Sequence, residues 1–449
     1  MAVTRPPGPR GHWLLGSLPD IRRDMPQTLI DVSRQYGGLT RLRVGPAAMY
    51  LVSDGALIVE LIAGRAQELR KSNRTHSSLH VHLGDGLITL EGPEHRRHRR
   101  LVQPVMHHRS LATLATTMVE LARDRVRSWP DGSVVELQQE MADLTLRIVS
   151  TALFDIDPAE ADEVVDAAHG FARSLNVVLR RAFPLPQWLP TSGNRLRRLT
   201  VARMDALAYA LIRRRRPVAA GRSDLLSLLL QAVEGDRGSS LSDREVRDEL
   251  MTMFFAGHET SAAALTWAFY LLGEHPAVLA DLRGELAHVL GDRLPTMTDL
   301  PTMTDLPALP LLNRVVRETL RLYPPAWVFD RSPRHDLRVA GYTVPKGANM
   351  LFSPYVVHRD PALWEAPDEF RPERFAVTPP RHAYLPFGDG PRICVGNRFA
   401  ESEIALVLAT IVPRASLGRV DTGPVHPEGD ATLRPRGGLR MRVSRLTAD

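Results

Sequence analysis

Residues Leu241 to Gly273 are apolar on nearly every side of a helical projection, and this stretch constrains the fold more than any other. Ser242 and Glu245 form a capping box at its start, and Gly273 with Pro276 gives a stop signal at its end. A helix without a polar face has to run through the interior of a protein. At about 1.5 Å per residue it would span roughly 45 Å, so the rest of the chain must be built around it.

A polar insertion, Gly257-His-Glu-Thr260, interrupts this apolar helix. A buried carboxylate beside a hydroxyl on a locally loosened helix is suited to relaying protons. The alternative is a kinked helix in which the Thr260 hydroxyl bonds back to the previous turn.

The remaining periodicity is mostly helical, with short β-rich runs near both ends. Leu39–Val44 and Ala48–Val52 predict a hairpin around Gly45-Pro46. Helices are predicted at Leu111–Arg127, Val134–Leu153, Pro158–Arg180, Arg195–Arg215, Leu309–Tyr323 and Val395–Val412. We therefore expect one mainly α domain over residues 1–449 with a smaller β portion. Its β-rich parts are predicted near 36–55 and 325–380, and its helix-rich core over 92–324 and 395–412.

Composition excludes several classes of protein. Cys394 is the only cysteine, which excludes an internal disulfide framework and multi-cysteine zinc sites and favours a reducing, cytoplasmic location. The net charge of +6 comes from arginines spread along the chain, so no nucleic-acid site is expected. The longest run without charged residues, Thr260–Gly273, is shorter than the roughly 20 residues that cross a bilayer. The first residues lack an apolar core, so neither a signal peptide nor a membrane anchor is expected.

The segment Phe387-Gly-Asp-Gly-Pro-Arg-Ile-Cys-Val-Gly396 carries the strongest chemical signal. Its glycines permit tight turns and close approach to a flat ligand. Cys394 directly precedes a predicted helix, whose N-terminal N–H groups and dipole stabilise a thiolate. Such a thiolate suits a soft metal centre, and Arg392 is placed to pair with an anion. A lone cysteine is more often a small buried hydrophobe, but the glycines and the arginine favour the ligand here.

This segment resembles the haem-binding signature of the cytochromes P450. Glu318-Thr-Leu-Arg321 is similar to the Glu-x-x-Arg helix of that family, and Phe370-Arg-Pro-Glu-Arg-Phe375 to its Phe-x-Pro-x-Arg-Phe meander. Ala256–Thr260 is similar to its Ala-Gly-x-Asp/Glu-Thr motif. A Glu-x-x-Arg pair alone is commonly a solvated ion pair, but the matches follow the family's order along essentially the whole chain. The resemblance implies the P450 fold, with the long helix lying over the haem.

The resemblance also implies roles for individual residues. Cys394 would be the axial thiolate ligand of the iron of haem b, and Glu259 and Thr260 the proton relay; His258 would be neither ligand nor base. The other implied haem-binding residues are His95, Arg99, Arg331, Arg392, Phe387, Gly388, Gly396 and Ala256. Glu318, Arg321 and Arg374 would brace the haem pocket. The implied substrate pocket lies along 79–90, 175–179, 254–256 and 326–329, with Leu83, Leu87, Leu175, Leu179, Phe254, Phe255, Trp327, Val328 and Phe329 on its wall.

The implied activity is insertion of one oxygen atom from O2 into a hydrophobic small molecule, such as a terpenoid or polyketide. Thiolate ligation favours O–O cleavage. Electrons would come from NAD(P)H through a separate ferredoxin and ferredoxin reductase, and the enzyme would be a monomer. Oxidative ring closure, peroxide-driven oxidation and a non-enzymatic haem-thiolate sensor are the alternatives. Glu259 and Thr260 argue against the peroxide-driven members, which typically lack that threonine.

Four further expectations concern surface features. A basic docking face for the ferredoxin is predicted from Arg99, Arg100, His107, His108, Arg109 and Arg398. A solvated helix face is expected for Arg100, His98, His107 and His108. The loop Phe183–Pro190 is either a lid or packed on the body, and the duplicated Pro-Thr-Met-Thr-Asp-Leu over 295–306 is a surface insertion.

Overall fold

A computed structural model of the chain describes residues 5–106, 108–157, 160–179, 186, 188–234, 241–290 and 306–446. Its helices are α1 Leu18–Arg23, α2 Met25–Tyr36, α3 Gly55–Val59, α4 Asn73–Leu83, α5 Gly92–Val102, α6 His108–Ser128, α7 Leu137–Ile148, α8 Ala161–Leu179, α9 Ser192–Arg215, α10 Leu225–Glu234, α11 Asp243–Glu274, α12 Pro276–Leu290, α13 Pro310–Leu322, α14 Pro354–Val357 and α15 Asn397–Ile411. Its strands are β1 Leu39–Val44, β2 Ala47–Val52, β3 Leu69–Arg70, β4 Val134–Glu136, β5 Phe329–Pro333, β6 Leu337–Val339, β7 Tyr342–Val344, β8 Asn349–Phe352, β9 Ala415–Arg419, β10 Pro427–Gly429, β11 Leu433–Pro435 and β12 Arg440–Arg445. The fold is mainly α with a smaller β portion, as predicted.

The long apolar helix exists as α11, with nearly the predicted bounds. The Ser242 hydroxyl accepts from the Glu245 backbone N–H, and the Glu245 carboxylate accepts from the Ser242 backbone N–H, which completes the predicted capping box. Most side chains from Val246 to Leu272 are buried on every side of the helix. Among the helices of the described residues, none is both long enough and apolar enough to cross a membrane.

The chain divides into two compact units, which are described separately. The first consists of Met1–Ser77, Arg317–Cys394 and Val425–Arg436. Its sheet has the order β1-β2-β8-β5-β3, in which β1 and β2 form the predicted antiparallel hairpin and β8 lies parallel to β2. Two apolar clusters pack against this sheet, one around Ile58 and Phe352 and the other around Leu29 and Trp327.

The second unit consists of Ser78–Val316, Val395–Pro424 and Gly437–Asp449. In it α11 packs against α7, α9 and α15. A three-stranded sheet of order β4-β12-β9 also belongs to this unit and was not predicted. The first three residues of the helix predicted over 134–153 form β4, because they pair with Arg440–Arg442. One domain over the whole chain remains a prediction, and residues 291–305, which hold most of the duplicated segment, lie outside the described residues.

Candidate active site

The cysteine loop, residues 387–394, lies in the first unit and is held by its own backbone. The Cys394 N–H donates to the Phe387 carbonyl at 3.0 Å, which closes the loop. Gly388 and Gly390 have φ values of +68° and +67°, which side-chain-bearing residues rarely adopt. A Cβ at Gly390 would also lie 2.4 Å from the Ile62 carbonyl oxygen. The glycines are therefore required by the turn, and the loop leaves the Cys394 residue exposed.

The helix after the loop, α15, begins at Asn397, two residues later than predicted, with Gly396 as its N-cap. Cys394 therefore precedes the N-cap by two residues, near the end of the helix that favours negative charge. Arg392 lies half-buried in the 3-10 turn before the cysteine. Sequence reasoning missed Asp389, which is buried, accepts from the Gly390 N–H and forms a paired ion contact with Arg381.

Glu318, Arg321 and Arg374 form one buried network in the first unit. Arg321 and Glu318 are fully buried, and their two charge-assisted hydrogen bonds measure 2.7 and 2.8 Å. The Arg374 Nε donates to the same carboxylate at 3.0 Å, and the Arg371 backbone N–H at 2.9 Å. Arg321 also donates to the carbonyls of His358 and Pro367, both at 2.7 Å. A buried charge pair is stable only with such additional bonds, so this network fixes the backbone that it contacts.

The polar insertion of α11 lies in the second unit, where the helix is continuous. The Thr260 hydroxyl donates to the Ala256 carbonyl at 2.8 Å, which is the back-bond considered above. Neither residue is fully buried, and the same holds for Glu259. The Asn176 amide of α8 lies 3.4 Å from the Glu259 carboxylate, a contact that the sequence did not indicate. A Cβ at Gly257 would lie 2.9 Å from a Val149 methyl group, so this turn packs closely on the segment after α7.

His258 is buried, and its hydrogen bonds are made to the Phe254 carbonyl and to the Thr145 hydroxyl. Its Nδ1 lies within hydrogen-bond distance of the Phe254 carbonyl, and the Thr145 hydroxyl donates to the His258 carbonyl at 3.0 Å. Burial lowers the pKa of His258 to about 4. The residue is therefore neutral near pH 7.

The residues implied for haem carboxylates occur in both units. His95 is buried and Arg99 half-buried on α5 of the second unit, one turn apart. Arg331 lies half-buried on β5 of the first unit. Its Nη1 donates to the Asp330 carbonyl at 2.6 Å, and its guanidinium lies 5.3 Å above the Phe329 ring.

His98 was expected on a solvated face, and this expectation is wrong. Its side chain is 1% exposed, and its Nδ1 lies 2.6 Å from a Glu249 carboxylate oxygen. Three potential metal ligands, Glu94, His98 and Glu245, also lie within 4.8 Å of one another. The Arg97 guanidinium forms ion pairs with both carboxylates, which gives this cluster its cation. The cluster therefore joins α5 to α11 through ion pairs and hydrogen bonds.

The residues expected around a substrate pocket are mostly buried. In the second unit, residues 79–83 of the predicted loop are the end of α4, and only 84–90 form a loop. That loop packs on α11, because the Asp85 N–H donates to the Asp248 carboxylate at 2.8 Å. Leu83, Leu87, Leu175 and Phe254 are buried, whereas Leu179 and Phe255 are half-buried. In the first unit, Val328 and Phe329 are half-buried, and Trp327 packs in an apolar cluster with its Nε1 donating to the Asp430 carbonyl at 3.1 Å.

Comparisons with known proteins agree with this arrangement of motifs. Residues 6–436 match the profile of the family described as Cytochrome P450. The chain belongs to the cytochrome P450 family. It is 35% identical to cyclooctatin synthase of Streptomyces melanosporofaciens, over 90% of this chain and 88% of that protein. It is 32% identical to pentalenene oxygenase of Streptomyces avermitilis, over 92% and 91%.

Comparison with a solved structure shows that the similarity includes the fold. The crystal structure of the cytochrome P450DA heme domain matches with a TM-score of 0.88 and 27% identity, covering 100% of this chain and 99% of that one. P450 enzymes are haem-thiolate proteins, so this chain is a haem-dependent monooxygenase that uses O2 on a hydrophobic substrate.

The residues of this P450 fit a haem. The sole cysteine is exposed at the end of the glycine-containing loop and precedes a helix N-terminus. A side chain at Gly388 or Gly390 would strain the backbone of this loop, and one at Gly390 would also clash. In the first unit, Arg331 and Arg392 are half-buried and have the positive charge that haem carboxylates require. The donor set and the glycine turns therefore suit a flat, anionic cofactor with a metal that binds thiolate.

Proposed function

We propose that this P450 hydroxylates or epoxidises an apolar, polycyclic secondary metabolite, with Cys394 as the thiolate ligand of its haem. The carrying observation concerns the Glu318–Arg321–Arg374 network and the loop that ends at Cys394. Both lie in one compact unit, and the loop is closed by the Cys394 N–H bond to Phe387. A thiolate on such a braced loop has a fixed position, which a metal ligand needs.

Haem, when bound, supplies the O2 activation that places one oxygen atom in the substrate and reduces the other to water. The protein would contribute the thiolate of Cys394 and a fixed orientation of the cofactor. Arg331, Arg392, His95 and Arg99 would hold its carboxylates. Phe387, Gly388, Gly396 and Ala256 would form surfaces close to it.

The polar insertion of α11 would move protons. Glu259, which is half-buried, would take a proton from solvent and pass it to the Thr260 hydroxyl oxygen. Thr260 would break its bond to the Ala256 carbonyl and donate its own proton onward as it receives this one. The Asn176 amide, 3.4 Å from the Glu259 carboxylate, would hold this carboxylate in position before the transfer by donating a hydrogen bond to it. An acid and a hydroxyl in this order favour the O2-dependent reaction over one driven by peroxide.

The proposed substrate class rests on apolar side chains and on the names of relatives. Leu179, Phe255 and Phe329 are half-buried, so they have surface to offer to an apolar ligand. One relative, 34% identical over 84% of this chain, is a cyclooctat-9-en-7-ol 5-monooxygenase. The name of this relative describes oxidation of an unsaturated alcohol, and the name pentalenene oxygenase describes oxidation of an alkene. A terpenoid of this type is therefore our first choice, with a polyketide as the second.

We infer that a ferredoxin and its reductase supply the electrons to a monomeric, cytoplasmic enzyme. Arg100 and Arg398 are exposed and Arg99 half-exposed in the second unit, which supports a basic docking face. His107 lies outside the described residues, as do the side chains of His108 and Arg109. Arg100→Glu should lower turnover with ferredoxin and leave peroxide-supported turnover unchanged. Equal ferredoxin-supported turnover of wild type and variant would remove Arg100 from this face.

The absorption spectrum of the reduced, carbon monoxide-bound protein tests the core of the proposal. Wild type should give the red-shifted Soret band that thiolate donation produces, and Cys394→Ala should lose it. Wild type should then show a spin-state change with cyclic alkenes and alkenols, but not with sugars of similar size. A wild-type spectrum without the thiolate band would overturn the haem assignment. A thiolate band with no response to apolar ligands would overturn the substrate class alone.

A further inference from the structure

His358 stands out among the residues that the family motifs leave without a role. It directly follows α14 in the first unit and is fully buried. The Leu385 backbone N–H donates to its Nε2 at 2.8 Å, so Nε2 carries no proton. Its Nδ1 lies 3.0 Å from the Arg321 carbonyl, which only accepts, so Nδ1 carries the proton and donates. The neutral ring therefore donates and accepts at the same time.

Both hydrogen bonds of the ring lead to parts of the candidate site. On one side, Arg321 belongs to the buried charge network and returns a bond from its Nη1 to the His358 carbonyl at 2.7 Å. On the other side, Leu385 stands two residues before Phe387. The Leu385 carbonyl accepts from the Gly388 N–H at 3.1 Å, so its position sets where the first turn of the cysteine loop begins.

A ring contact strengthens the same link. The imidazole stacks on Tyr384 with centroids 5.6 Å apart and planes 25° apart. The Tyr384 hydroxyl donates to the Arg317 carbonyl on α13 at 3.2 Å. Residues 384 and 385 are thus held by the same imidazole, residue 384 by ring stacking and residue 385 by a hydrogen bond to Nε2.

We propose that His358 is a positioning residue that carries the fixed geometry of the Glu318–Arg321 network to the cysteine loop and so orients the Cys394 sulfur. The proposal rests on the function proposed above, in which that sulfur binds the haem iron. The bond that matters for the loop is the one accepted from the Leu385 N–H. Because metal–thiolate donation depends on how the ligand is held, a misplaced loop would weaken it.

The environment keeps the ring in the required form. Burial, with the nearby Arg321 guanidinium as the next cause, lowers the pKa of His358 to about 3. Protonation would place a hydrogen on Nε2, opposite the Leu385 N–H, and would break the bond to the loop. The Arg321 and Arg359 guanidinium groups both oppose such a charge.

Three variants separate the two hydrogen bonds. In His358→Gln the amide oxygen reaches the position of Nε2 and accepts from the Leu385 N–H. In His358→Asn the shorter amide reaches only the position of Nδ1, and His358→Leu removes both bonds. The control is Ser227→Ala on α10 of the second unit, because the Ser227 side chain is also fully buried and its hydroxyl also donates one hydrogen bond and accepts another, to Asp224 at 2.6 Å and from Arg215 at 3.3 Å.

The measurements are the fraction of reduced, carbon monoxide-bound protein that shows the thiolate band, the haem reduction potential and the thermal unfolding midpoint. We expect several-fold more of the non-thiolate form, and a more positive potential, in the Asn and Leu variants. The Gln variant should resemble wild type in both. Ser227→Ala should lower the unfolding midpoint and leave the spectrum and the potential unchanged. If the Leu variant does not fold, the comparison of Gln with Asn gives the same decision.

Two results would overturn the proposal. One is an Asn variant with the wild-type spectrum and potential, whatever its stability. The other is Ser227→Ala with the same spectral change, which would show that the loss of any buried hydrogen-bonding side chain has this effect. A wild type without the thiolate band would instead refute the proposed function, and the positioning role with it.

Discussion

At the scale of single residues, the Thr260 hydroxyl has two possible uses, a helix back-bond and proton transfer. We expect Thr260→Ala to bind haem and substrate as wild type does and to keep consuming NADPH. Product formation should fall by roughly one to two orders of magnitude, which lies at or below the low end for loss of an acid–base group. The measurement is the product formed per NADPH consumed.

A matched control lies six residues along the same helix. The Thr266 hydroxyl donates to the Ala262 carbonyl at 2.7 Å, as Thr260 does to Ala256 at 2.8 Å. Thr266→Ala should therefore keep the wild-type yield, and Thr260→Ser should restore it. A wild-type yield in Thr260→Ala would refute the relay, and an equal loss in Thr266→Ala would assign the effect to the back-bond.

The predictable site residues are those whose roles depend on spacing within a short segment. The cysteine loop and the Glu-x-x-Arg pair are of this kind. Asn176 and His358 were missed because the partners that give them a role lie 83 and 27 positions away. His98 could have been found, since it shares a buried face with His95 and Val102 at helical spacing.

At the scale of helices, Gly257 sets how closely α11 approaches Val149. A Cβ at 257 would lie 2.9 Å from a methyl of that β-branched side chain, which has little rotamer freedom. Glycine to alanine in an open helix adds about 1 kcal/mol of stability, but overpacking removes about 1–3 kcal/mol. We therefore expect Gly257→Ala to lower the free energy of unfolding by up to about 2 kcal/mol in urea titrations.

The same substitution on α12 is the control. A Cβ at Gly284 would meet no atom within 4 Å, so Gly284→Ala should raise the free energy of unfolding by about 1 kcal/mol or less. Adding Val149→Ala to Gly257→Ala should recover part of the loss that the crowding causes. Equal stabilisation by the two glycine substitutions would show that the α11 contact adjusts freely.

Helices were predicted better than strands for a physical reason. The capping box and the periodicity of α11 lie within the helix itself, so its observed bounds, Asp243–Glu274, match the prediction closely. The strand β4 has three residues, too few for a pattern, and exists because Arg440–Arg442 pairs with it from the far end of the chain. Pairing between distant short segments leaves almost no local signal.

At the scale of the whole molecule, buried histidines set the acid limit of stability. Burial lowers the pKa of His82 and of His258 to about 4 and that of His358 to about 3, from 6.5 for the exposed group. Below pH 6.5 the unfolded chain therefore takes up protons that the folded protein does not. The free energy of unfolding should therefore decrease as the pH is lowered below 6.5, by up to about 1.4 kcal/mol per pH unit for each histidine.

Glu403 on α15 acts in the opposite direction. Burial raises the pKa of its carboxyl group to about 8, against 4.5 when exposed, with the facing Ser261 hydroxyl opposing the shift. Between these values the unfolded chain is ionised and the folded protein is not, so stability falls as pH rises. Burial also raises the pKa of Glu249 on α11, which acts in the same direction as Glu403. Below pH 6.5 the three histidines outweigh these two carboxyl groups, and above pH 6.5 the carboxyl groups dominate. Maximum stability of the holoprotein is therefore expected near pH 6.5.

Thermal unfolding of the holoprotein, followed by circular dichroism from pH 5 to 8.5, checks both the expected decrease in stability below pH 6.5 and the one above it. Glu403→Gln keeps the shape of the neutral acid and removes its titration. The stability of this variant relative to wild type should therefore increase with pH up to about pH 8. The decrease in stability above pH 6.5 should become smaller, while the decrease below pH 6.5 should remain. Glu120→Gln, at an exposed position of α6, should leave the shape of the curve unchanged. A Glu403→Gln curve parallel to wild type would mean that Glu403 is ionised in the folded protein, and the decline above pH 6.5 would then need another buried group.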